Sequence, residues 1–181
     1  WDVFAADESS IVFTYTHADG QEGMPGNVEI FMTYTLTPEN EFKVEYLAQT
    51  DKATHVNISH HSFFNLKGEG NGTINDHVLY INASLTTPVD SVLIPTGEIV
   101  KVEGTPFDFR TPKAIGQDLE VEDEQLKNGA GYDHNWVLDR ATPSELELAA
   151  SVYEPASGRY MEVWTDQPAL QFYGGNFFDG T

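Results

Sequence analysis

Two adjacent histidines, His60 and His61, stand ahead of two phenylalanines in NISHHSFFNL, residues 57–66. Imidazole ionises closest to neutral pH, so it can give up or accept a proton there. Asn57, Ser59, Ser62 and Asn65 add hydrogen-bonding groups, and Phe63 and Phe64 add flat apolar faces. Polar groups set among aromatic rings suit a sugar, which has a hydroxyl rim and weakly apolar C–H faces. If the stretch is a strand, neighbouring side chains point to opposite faces. One histidine would then face a site and the other outward, unless a bulge intervenes. The competing reading is a pair of hydrogen-bonded structural histidines.

A second cluster is GYDHNWVL, residues 131–138, where Asp133 and His134 follow Gly129 and Gly131 and lead into an apolar run. This reads either as a loop entering a strand, with Asp133 bonding nearby amides, or as a carboxylate accepting from sugar hydroxyls. A third is QFYGGNFFDGT, residues 171–181. Gln171 could bond a hydroxyl or merely satisfy backbone groups, and Gly174 and Gly175 permit a bulge or a close approach. In IPTGEIVKVEGTPFDFRTP, residues 94–112, Asp108 and Arg110 are two apart and are expected to pair locally.

Other chemistries lack their parts. No G-x-S-x-G, H-E-x-x-H, P-loop or GxGxxG stretch is present. The spacing of His60, His61 and His77 matches no zinc-ligand pattern. The acid count leaves room for an incidental Ca²⁺, without a D-x-D-x-D-G loop to hold it.

The elements that must position these residues are mostly strands. VEIFMTYTLT and EFKVEYLAQT alternate apolar and polar residues on either side of the turn TPEN, which reads as a hairpin. IVFTYT, HVLYINAS, ELELAASVYE and YMEVWTDQ repeat the period of two. Only TPKAIGQDLEVEDEQLKNG hints at helix, for a turn or two. The fold class expected is all-β: one antiparallel β-sandwich domain over residues 1–181.

The chain carries 29 acidic and 9 basic residues, a formal charge of −20, among 181 residues. Such a surface disfavours nucleic acid, anionic membranes and anionic substrates, whereas a neutral sugar meets no such barrier. Cysteine is absent, which removes disulfides, thiolate metal sites and cysteine nucleophiles.

Taken in order, these segments resemble the aldose 1-epimerase family, also called galactose mutarotases. The resemblance rests on GMPGNVEIFMTYTL, NISHHSFFNLKGEG, DHVLYINAS, PVDSVLIPTGEIVKVEGTPFDFRTPKAIG, GYDHNWVL and GRYMEVWTDQPALQFYGGNFFDG, and runs over essentially the whole chain. It implies a large β-sandwich of the mutarotase-like supersandwich kind, here a partial domain. It also implies interconversion of the α and β anomers of free aldohexoses such as galactose and glucose. By this resemblance His61 is the general acid, and Asp133 and Gln171 bind sugar hydroxyls. His60 sits where members often have Asn, which implies a supporting or outward role. No metal or organic cofactor is implied, and the partner is a small-molecule aldohexose. A cytoplasmic location is favoured, with a periplasmic or secreted one as the alternative.

There are departures. The family's general-base glutamate is expected beyond Thr181, and its Asn-Arg pair and H-G-G histidine upstream of Trp1. The chain therefore reads as part of a longer polypeptide, with the remaining segments as its partner. Phe63 replaces a usual Tyr, and Gly174 a usual Thr. A non-catalytic carbohydrate-binding module is the alternative reading.

Overall fold

The structure is a computed structural model and describes residues 1–178; the end of the QFYGGNFFDGT segment, residues 179–181, lies outside the described residues. Contacts divide the chain into two compact units, Trp1–Phe63 and Phe64–Thr181.

The N-terminal unit is an antiparallel meander of four strands, β1 (Asp2–Ala6), β2 (Ser10–His17), β3 (Val28–Leu36) and β4 (Phe42–Thr50). The expected hairpin is β3–β4, in register from Val28 opposite Thr50 to Leu36 opposite Phe42. Asn40 closes its turn at φ 64°, a left-handed conformation that Asn tolerates better than most residues. Period-two alternation then sorts the faces. Ile30, Met32 and Tyr34 share one face with Tyr15, Phe13 and Ile11 of β2, and with Ala48, Tyr46 and Val44 of β4. Glu29, Thr33 and Thr35 point the other way.

The C-terminal unit holds two four-stranded antiparallel sheets. One runs β11 (Tyr160–Thr165), β10 (Glu147–Tyr153), β5 (Val78–Ile81), β8 (Lys113–Ala114). The other runs β12 (Ala169–Tyr173), β9 (Asp133–Val137), β6 (Leu85–Thr87), β7 (Val100–Lys101). Leu79 and Ile81 of β5, Ala149 and Ala150 of β10 and Trp136 of β9 belong to one buried cluster. Phe107, Phe109 and Tyr132, from the connecting segments, complete it. Buried rings with a polar atom need a partner, and each has one. The Trp136 indole N–H donates to the Phe107 carbonyl at 3.0 Å, and the Tyr132 hydroxyl donates to the Pro106 carbonyl at 3.0 Å.

The hinted helix is a 3-10 turn, Ile115–Asp118, and a short α1 (Glu124–Gly129). Asp123 caps α1, accepting from the Gln125 amide at 2.8 Å and the Leu126 amide at 3.3 Å. Among the described residues no helix is long and apolar enough to cross a membrane.

Candidate functional site

The start of β9 and the middle of β12 place Asp133 and Gln171. Asp133 opens β9 and lies opposite Tyr173, while Gln171 lies opposite Asn135. Residues two apart on a strand share a face, so Asp133, Asn135, Gln171 and Tyr173 all project from one side of the sheet. Asp133 and Gln171 are diagonal neighbours there, and the Gln171 Nε2 donates to Asp133 Oδ1 at 2.9 Å. A carboxylate with open acceptor positions beside an amide that can both donate and accept is a fitting cradle for neutral hydroxyls. Gln171 is exposed and Asp133 half-buried.

His134 and Trp136 face the other way, into the core. His134 is 1% exposed, with its ring 4.7 Å from that of Phe107. Its Nδ1 accepts the backbone N–H of Asp133 at 3.1 Å. Burial pushes this imidazole below its ordinary value, against the opposing pull of Asp133 and Asp123. Burial likewise pushes the Tyr132 phenol up.

His61 belongs to the N-terminal unit. The strand considered for His60 and His61 does not form: residues 53–65 carry no strand. No ladder imposes alternation on them, so each ring is set by its own neighbours. His61 is exposed and its ring lies edge-on to Phe63 at 5.1 Å. His60 is half-buried against Tyr34 and Phe42, with ring centroids at 5.7 and 5.5 Å, and its Nε2 lies 3.1 Å from the Ser62 hydroxyl. The far end of the stretch is held in the C-terminal unit, where His77 Nε2 accepts the Leu66 N–H at 3.1 Å and Arg159 donates to the Leu66 carbonyl at 2.8 Å.

Asp108 and Arg110 form the expected local pair, bidentate at 2.9 and 2.7 Å. The guanidinium holds the Asp108 carboxyl below its usual range. Among the described residues no group of three or more His, Cys, Asp or Glu side chains could hold a metal ion. A hollow of about 610 Å³ in the N-terminal unit is lined by Gly23, Met24, Pro25, Ala53, Thr54 and His55, and by none of the three candidate residues.

Two residues near Asp133 escaped the sequence reading. Tyr173, its cross-strand neighbour, stacks on Phe177 at 6.2 Å and 18°, and its hydroxyl accepts the Phe177 N–H at 2.7 Å. The signal was the i, i+2 spacing from Gln171. Asn176 is the other: its side-chain amide donates to the carbonyls of Gly129 and Tyr132 at 3.0 and 2.8 Å.

The family model described as aldose 1-epimerase matches residues 1–181. The chain is 45% identical over 173 residues to the galactose mutarotase of Homo sapiens, covering 96% of this chain and 48% of the relative. It is 38% identical to the aldose 1-epimerase of Haemophilus influenzae, covering all of this chain and 52% of the relative. The crystal structure of galactose 1-epimerase from Lactobacillus acidophilus aligns with a TM-score of 0.84 at 33% identity, over 98% of this chain and 51% of that one. With its nearly all-antiparallel architecture, the chain belongs to the aldose 1-epimerase family and its β-sandwich fold class. It spans about half the length of the curated relatives it matches.

Proposed function

We propose that this chain is part of an aldose 1-epimerase that interconverts the α and β anomers of free aldohexoses such as galactose and glucose. The observation that carries the reading is the Asp133–Gln171 pair, joined at 2.9 Å on one sheet face in a chain closely related to galactose mutarotases.

The chemistry is acid–base ring opening. A base takes the proton of the anomeric hydroxyl while an acid protonates the ring oxygen. The C1–O5 bond breaks, the aldehyde rotates about C1–C2, and closure on its other face gives the other anomer. In this reading His61 is the acid. It starts protonated, delivers its proton to the ring oxygen, and recovers one on closure. Asp133 accepts hydrogen bonds from sugar hydroxyls, and Gln171 holds the carboxylate and offers a further contact. The reading needs no metal or organic cofactor, takes a cytoplasmic location, and treats residues 1–181 as part of a single sandwich domain.

The test is polarimetry of freshly dissolved α-D-galactose with the complete gene product. The expected result is a faster approach to the same final rotation. Galactose binding without acceleration would replace the enzyme by a carbohydrate-binding module.

A further inference from the structure

The loop before Asp133 begins as a helix C-cap, with the Gly131 N–H donating to Leu126 O at 2.8 Å. Two consecutive residues, Ala130 at φ 51° and Gly131 at φ 126°, lie at positive φ between the end of α1 and the start of β9. A non-glycine residue in the left-handed region persists where its surroundings over-determine it. Here the surroundings include a single side chain. Asn176 reaches across from the segment after β12, and its Nδ2 donates to Gly129 O at 3.0 Å and Tyr132 O at 2.8 Å, the two carbonyls that flank the positive-φ pair. The Tyr132 carbonyl also accepts from the Gly174 amide at 2.8 Å, so both of its lone pairs are engaged. The place for the amide is cut to shape. A Cβ on Gly131 or on Gly174 would come within 2.7 Å of Asn176 Oδ1. Asp133 is the next residue along, with its own N–H fixed by His134.

We propose that Asn176 is a positioning residue of the sugar site: its amide locks the 129–132 loop and thereby aims the Asp133 carboxylate. The inference rests on the sugar-binding role proposed for Asp133. Aspartate at 176 would set acceptor oxygens against two carbonyls, so Asn176→Asp is expected to be worse than Asn176→Ala, although the shapes favour the reverse order. Serine at 176 carries its hydroxyl one bond short of both carbonyls, so Asn176→Ser is expected to behave like Asn176→Ala.

The experiment uses the complete gene product with Asn176→Ser, Asn176→Ala and Asn176→Asp, each alone and with Asp133→Ala. Amide hydrogen exchange reads the loop. Loss of two donors is expected to speed exchange at Gly131 and Gly174 about tenfold or more, with the amides of β10 unchanged. Unchanged exchange at both glycines overturns the inference. Initial-rate polarimetry reads the aim of Asp133. The galactose KM is expected to rise about tenfold in Asn176→Ala with kcat within about threefold, and to rise no further when Asn176→Ala is added to Asp133→Ala. Losses that simply add would mean Asn176 acts independently of Asp133, which also overturns it. If Asp133→Ala leaves KM unchanged, the sugar-binding role of Asp133 fails and the aiming role with it, while the exchange data still decide whether Asn176 holds the loop.

Discussion

Asp133 faces outward and its neighbour His134 inward because β9 alternates, and the two are tied by one hydrogen bond from the Asp133 N–H to His134 Nδ1. The entry into a strand was legible in GYDHNWVL, with the facing of Asp133 left open. The partner of Asp133 was not, because Gln171 lies 38 residues away and meets it only through the β9–β12 register. Asn176 was harder still: its partners are backbone carbonyls 47 and 44 residues distant, and no residue type announces a carbonyl. The conformation of the histidine pair was not legible either: no period runs through NISHHSFFNL, and residues 53–65 have no ladder. Removing the Asp133 carboxylate deletes charge-assisted acceptors, each worth roughly 1.5–3 kcal/mol. Asp133→Ala is therefore expected to raise the galactose KM about ten- to a hundredfold in initial-rate polarimetry. Unchanged KM and kcat would remove Asp133 from the site.

Strands whose alternation runs six residues or more were readable: β2, β3, β4, β10 and β11 fall where the period-two text lies. The four-residue β5 also falls inside HVLYINAS, but the shortest strands left no signal. β7 and β8 have two residues each and exist only through pairing with β6 and β5. Two residues carry no period, so the sequence holds no trace of them. What makes β9 and β12 a firm platform is the ring cluster beneath. Trp136 is fully buried and lies within ring contact of Phe107, Phe109, Tyr132 and Phe172. Truncating such a ring removes its burial and leaves a cavity, at a cost of about 3–5 kcal/mol. Trp136→Ala should show that loss in denaturant unfolding, whereas a loss below about 1 kcal/mol would mean the platform does not depend on this ring.

At the scale of the molecule, composition disfavoured anionic ligands and left neutral ones open. A surface with formal charge −20 repels anions and leaves uncharged hydroxyl compounds unaffected. The family, whose relatives are named for neutral sugars, agrees with that. The chain spans about half of its relatives' length, so activity belongs to the complete protein and is measured there. The central claim is that His61 passes a proton to the ring oxygen of a bound aldohexose. Exchange NMR of galactose at anomeric equilibrium tests it most directly, because it follows α–β interconversion without net conversion. The complete protein should transfer saturation between the two anomeric protons, and His61→Ala should slow that exchange by about 10²-fold or more. Equal exchange by the native protein and His61→Ala would contradict the account.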